Sequence, residues 1–184
     1  MKPRTFPLVT GALVAANLAV YAAELAGDGQ ALCQADGLVP AHFEPGAIFT
    51  AMFLHDPSGL AHIGGNMVFL AIFGTIVERA FGHVRFAALY LAAGIVGALT
   101  HVLVHPAATD AMVGASGAIF GVLAVGAALR SRLLPFVAVF FACQLWGVFA
   151  GASDVAFGAH IGGFVVGVFV AALAQERSIH AEVS

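Results

Sequence analysis

The sequence predicts an all-α integral membrane protein, and three observations carry that prediction. Of its 184 residues, 61% are hydrophobic and only 9% charged, where a soluble domain is about 45–50% apolar and about 25% charged. Mean hydropathy is +0.99, and the apolar residues fall in runs too long and too continuous for the alternating strands of a membrane barrel. The chain also holds 22 glycines, as expected of membrane helices that pack through small residues. A net charge of −3 argues against nucleic acid as a partner. Cys33 reads as a loop residue and Cys143 as part of an apolar run, so neither a disulfide nor a metal cluster is expected.

Six apolar segments are predicted, roughly 7–25, 60–79, 84–104, 115–130, 133–150 and 157–174, in a single domain covering 1–184. Lys2 and Arg4 precede the first segment. A signal peptide is the alternative reading of that segment, but its apolar stretch exceeds the usual 7–15 residues of a signal core. The connection 26–59 carries Phe43, Phe49, Met52 and Phe53 among polar residues and reads as amphipathic pieces in the interface. The second segment ends at Val77-Glu78-Arg79, and the third starts around His83-Val84-Arg85. A short turn near His105-Pro106 follows the third. The fourth ends at Arg130-Ser131-Arg132, where Pro135 helps to break the helix. The loop Gly151-Ala152-Ser153-Asp154 separates the fifth from the sixth, which ends at Gln175-Glu176-Arg177.

Six spans put every Lys and Arg on one side: Lys2, Arg4, Arg79, Arg85, Arg130, Arg132 and Arg177. The positive-inside rule makes that side cytoplasmic, with both termini there. Segments two, four and six then all start at the outer face.

That direction gives the polar residues within the spans a common depth. His62 and Asn66 lie in the first turns of segment two, Ser116 opens segment four, and His160 lies in the first turn of segment six. Such residues inside a membrane are rare and mostly functional. His62 and Asn66 are i, i+4 and share a face, as do His160, Gly163 and Gly167. Segment four carries Gly117-x-x-x-Gly121 and segment six Gly163-x-x-x-Gly167, faces that allow two helices to approach closely. A close approach brings Ser116 within hydrogen-bond reach of His160. Segment four is also short for a span of about 20 residues. Ser116 is therefore expected below the surface, with Met112–Ala115 as irregular backbone lining a wet cavity.

These residue types suit acyl transfer. Ser116 stands among Gly114, Ala115 and Gly117, where other backbone can come near and the helix dipole favours negative charge. Ser116 would be the nucleophile and His160 the general base, then acid. His62, Asn66 and the Ser116 N–H would stabilise the oxyanion. No acid is placed to orient His160, so a dyad held by packing is expected, with Phe120 one turn below Ser116 stacked on the imidazole. Each residue also has a plainer reading. Ser116 serves equally as a packing serine, and His62 and Asn66 as helix-to-helix hydrogen bonders. No His-Glu-x-x-His marks a metal site. Asp110 and Asp154 read as loop residues, not an intramembrane aspartyl pair. His55, His83, His101, His105 and His180 read as interfacial or loop residues, and Trp146 and Phe149 as lipid-belt anchors.

Together these residues resemble the rhomboid family of intramembrane serine proteases. The motifs are His62-x-x-x-Asn66 after Phe53-Leu54-His55, Glu78 to Gly82, Gly114-Ala115-Ser116-Gly117, and Ala159-His160-x-x-Gly163-x-x-x-Gly167. The resemblance implies a six-transmembrane-helix rhomboid-like bundle with a Ser116/His160 dyad and an oxyanion site at His62 and Asn66. It implies cleavage of other proteins' single-span transmembrane segments near the outer face of a bacterial inner membrane, without metal or cofactor. Two features depart from the family. The Phe120 position often carries tyrosine, so stacking is kept but a hydroxyl lost. The family's Trp-Arg pair has no match in Phe43–Ala51. The alternatives are a rhomboid-like protein that binds membrane helices without cutting, and a small transporter or channel. The absence of midspan charge in segments one, three and five and of paired broken helices argues against the transporter.

Overall fold

The computed structural model describes residues 6–149 and 156–183, excepting the side chains of 147–149 and 177–183. Lys2, Arg4 and the loop 151–154 with Asp154 lie outside the described residues, as do the side chains of Phe149, Arg177 and His180.

The described residues form a helical bundle whose long elements follow the apolar runs. They are α1 (Leu8–Ala26), α2 (Gly29–Asp36), α3 (Ala47–Thr50), α4 (Leu60–Phe81), α5 (His83–Val104), α6 (Ser116–Leu129), α7 (Leu134–Phe149) and α8 (Phe157–Val183). Helices α1, α4, α5 and α8 are long and apolar enough to cross a membrane; α6 and α7 are apolar but shorter. Helix α4 passes through a single π-turn at Leu70–Gly74. Gly82, at φ +80, makes the sharp reversal into α5, a backbone state that costs glycine nothing. Pro135 sits in the first turn of α7, where its missing N–H is harmless.

Helix α6 is the hub. Every residue from Gly117 to Ala127 is buried, as expected of a helix that is apolar all round. Its 14 residues rise only about 21 Å at about 1.5 Å each, short of a hydrocarbon core about 30 Å thick. Glycines let α5 and α8 close on it. A Cβ added at Gly163 would meet the Gly117 carbonyl oxygen, and one at Gly167 would meet that of Gly121. A Cβ on Gly97 of α5 would come within 2.7 Å of the Ala159 carbonyl oxygen. The third helix of this crossing, α5, thus adds a close approach of its own to the two named from sequence.

Buried acids tie the outer helices to this core. Glu78, fully buried near the end of α4, accepts from the Val9 N–H (2.8 Å), the Thr10 N–H (2.7 Å) and the Thr10 hydroxyl (2.6 Å). It also meets His83 Nδ1 at 2.5 Å. The start of α1 has no side-chain cap of its own; a carboxylate from another helix satisfies its orphan N–H groups and its dipole.

The 26–59 connection differs from the interfacial reading. Phe43 and Phe49 are exposed, but Met52 is buried against Gly94 of α5, and Leu38, Ile48 and Ala51 pack with Ala98. Leu38 and Met112 exchange backbone hydrogen bonds (3.0 and 2.8 Å), clamping the connection to the strand-like stretch before α6. Cys33 lies on α2 rather than in a loop, and both cysteines are free. Its sulfur sits 3.3 Å from both Glu24 Oε1 and the His55 carbonyl. Burial, reinforced by Glu24, pushes this thiol up to about 12, so it packs as an inert group.

His55 is likewise corrected from interfacial to core. Its ring is fully buried, its N–H donates to Glu24 Oε1 (2.9 Å), and its Nδ1 faces the Phe53 carbonyl at 3.2 Å. Burial, with His62 beside it, lowers its pKa from 6.5 to about 4. The unfolded chain therefore takes up a proton at His55 before the folded one does, and stability falls as pH drops from 6.5 towards about 4. The apparent Tm in detergent should decline across that window and level off above it; His55→Gln should flatten the decline.

Candidate active site

Ser116 is the first residue of α6, and His160 lies in the first turn of α8. The close crossing of these helices sets Ser116 Oγ 2.8 Å from His160 Nε2. Ser116 is half-buried and His160 is buried, 7% exposed. The imidazole stacks on Phe120, with centroids 4.3 Å apart and planes 15° from parallel, and meets the edge of Phe157 at 6.3 Å. Phe140 stacks on the far face of this aromatic group, 5.4 Å from Phe120.

Packing alone does not hold the ring. His160 Nδ1 lies 2.8 Å from Gln144 Oε1 on α7. Gln144 went unnoticed in the sequence, although it is the one amide in the apolar run 133–150.

Gly114 shapes the opposite wall. Its φ of +121 suits glycine alone, and its N–H donates to the Ala51 carbonyl at 2.8 Å. The space a Cβ would take is lined by His62 Nε2 (2.7 Å) and Asn66 Nδ2 (3.8 Å). Both polar groups of α4 are therefore aimed at the backbone two residues before Ser116. Each is held in place: the Asp56 N–H donates to His62 Nδ1 (3.3 Å), and Asn66 Nδ2 donates to the His62 carbonyl (3.1 Å). A neutral imidazole that accepts at Nδ1 carries its proton on Nε2. His62 thus presents a donor towards Gly114, and Asn66 presents another. The His55 ring backs His62 at a centroid distance of 5.0 Å.

A cleft of about 10 Å³ lies beside Ser116, lined by Met52, Gly94, Met112, Gly114 and Ala159, about the room one water needs. Gly114→Ala should fill the donor pocket and strain the backbone. The expected result is a loss of at least about tenfold in turnover, since one oxyanion donor accounts for about 10²–10³, together with a lower Tm, because the strained backbone costs about 1–3 kcal/mol. Turnover measured on the purified variant checks this.

Other sequence candidates lie elsewhere. His101 lies half-buried in the last turn of α5, its ring tilted against that of His105 with centroids 5.0 Å apart. His83 pairs with Glu78. Trp146 is 73% exposed near the end of α7, a lipid-facing position. Among the described residues, no three His, Cys, Asp or Glu side chains cluster as metal ligands.

A helical bundle with an apolar exterior and a serine–histidine pair at the start of its central helix defines an integral membrane protein with a buried polar centre. The chain belongs to the rhomboid family: the rhomboid domain model matches residues 43–177. It is 37% identical over 131 residues to RHOMBOID-like protein 1 of Arabidopsis thaliana, covering 65% of this chain and 32% of that one. It is 37% identical over 133 residues to the rhomboid protease GluP of Bacillus subtilis, covering 68% and 25%. A Rhomboid-type serine protease 2 of Emericella nidulans is 39% identical over 74 residues, 40% of this chain and 14% of its own. The matches thus span a third or less of these relatives' lengths.

Proposed function

We propose that this chain is an intramembrane serine endopeptidase that cleaves single-span transmembrane segments of other proteins near the outer face. The observation that carries this reading is the 2.8 Å contact between Ser116 Oγ and His160 Nε2. The family's named proteases support it.

Ser116 Oγ attacks the scissile carbonyl carbon while its proton passes to His160 Nε2. The carbonyl oxygen becomes an oxyanion, received by the Ser116 N–H, His62 Nε2–H and Asn66 Nδ2–H. Donors fixed before the reaction need no rearrangement as charge develops. His160 then gives its proton to the leaving amine nitrogen, the C–N bond breaks, and an acyl-enzyme remains on Ser116. Water donates a proton to His160 and attacks the acyl carbon. Collapse frees the carboxylate product and returns the proton to Ser116. This sequence calls for no metal or cofactor.

In this reading the whole chain is one domain crossing the bacterial inner membrane six times. Both termini are cytoplasmic, and α4, α6 and α8 start from the outer face. The short α6 sinks Ser116 below the surface, where water and an unwound substrate segment can meet.

The test is reconstitution in liposomes with a single-span substrate carrying small residues near its outer end. The expected result is two fragments cut in the outer part of the span, unchanged by a metal chelator. Binding of the substrate without fragments would contradict the reading and favour a helix-binding protein.

A further inference from the structure

We infer that Gln144 is a positioning residue that selects the catalytic tautomer of His160; the inference rests on the Ser116–His160 reading above. A base must present a lone pair at Nε2, the nitrogen 2.8 Å from Ser116 Oγ. Neutral imidazole does so only when its proton sits on Nδ1. Stacking on Phe120 fixes the plane of the ring but leaves both tautomers equally well packed. A hydrogen bond at Nδ1 separates them.

Gln144 Oε1 lies 2.8 Å from Nδ1, and an amide oxygen can only accept. It therefore holds the proton on Nδ1 and leaves Nε2 free to accept from Ser116. The reversed amide would donate to Nδ1, drive the proton to Nε2, and face Ser116 with an N–H that cannot act as a base. The same contact strengthens during reaction. Once His160 has taken the serine proton, its Nδ1–H donates as part of a cation, and charge-assisted bonds are about twice as strong as neutral ones. A neutral amide thus takes the place that a carboxylate occupies in a triad, without burying a second charge inside the bilayer.

The experiment compares wild type, Gln144→Met and Gln144→Glu in the full-length chain, purified and reconstituted. Met keeps the volume and removes the strong acceptor; Glu keeps an acceptor oxygen. Two readouts are taken: the imidazole ¹⁵N spectrum of His160, and kcat and KM on a single-span substrate. The expected result is an Nδ1-protonated ring in wild type and mixed tautomers in the Met variant. The Met variant should lose about 10- to 100-fold in kcat, the scale of a hydrogen bond to a charged group, with KM and Tm unchanged. The Glu variant should restore both the spectrum and most of the rate. A Met variant with wild-type tautomer and kcat overturns the inference, as does a Glu variant no better than Met. An active Ser116→Ala protein would instead overturn the catalytic reading beneath it, and the ¹⁵N spectrum, which needs no activity, separates the two failures.

Discussion

Ser116→Ala is expected to lower kcat by about 10⁴-fold or more and to leave the fold intact. In the proposed mechanism the serine hydroxyl supplies the bond-forming atom, and nothing beside it can substitute: Gly114, Ala115 and Gly117 carry no nucleophile. In serine proteases, loss of the nucleophile removes nearly all turnover, leaving only what the oxyanion site and binding provide. A factor of 10⁴ corresponds to about 5.4 kcal/mol of barrier. Structurally the change is small. Ser116 Oγ has His160 as its hydrogen-bond partner, and removing one half-buried hydroxyl costs about 1 kcal/mol. A Tm lowered by no more than about 2–4 °C, with no detectable product, separates a chemical role from a packing role. A packing serine would show the opposite, a lower Tm with activity retained.

The second large effect lies in the crossing that brings the pair together. Gly163→Val should destabilise the protein and abolish turnover. A Cβ at this position would fall on the Gly117 carbonyl oxygen, one residue beyond Ser116. Backbone cannot swing aside as a flexible side chain can, so α8 must move away from α6. Overpacking costs about 1–3 kcal/mol and more where backbone shifts, which lowers Tm by about 2–12 °C at this chain length. A displacement of even about 1 Å at the dyad costs about 10² in rate. Gly65→Val, where a Cβ meets nothing within 4 Å, is the control and should change neither Tm nor kcat. Thermal unfolding in detergent and turnover in liposomes report the two consequences separately.

Much of the fold could be read because lipid leaves few choices. Long apolar runs with few charges must be helices, since every backbone group needs an internal partner. The crossing of α6 and α8 is written in their glycines, because small residues at i, i+4 matter only if another helix comes close. Gly94 and Gly97 of α5 stand three residues apart, not four, so that pattern does not mark them, although Gly97 meets the Ala159 carbonyl. His55 was misread for a different reason. An ionisable residue in a connection is normally solvated, and only tertiary packing under α1 and α2 turns its surroundings into core. Glu24, Cys33 and His55 are scattered along the sequence, and no periodicity links them. Met52 was read with its aromatic neighbours as interfacial, whereas Gly94 opens a pocket for it from another helix. Gln144 had a visible signal, a lone amide in an apolar segment. Its partner depended on the rotation of α7, which a nearly uniform apolar run does not specify.

The proposed chemistry depends on a serine made nucleophilic by the histidine beside it. The most direct measurement is the intact mass of the reconstituted protein after a fluorophosphonate probe. Wild type is predicted to gain one adduct, mapped to Ser116, whose rate of formation collapses in His160→Ala while Gly65→Val labels normally. An unlabelled wild type, an adduct on another residue, or equal labelling without His160 would contradict it.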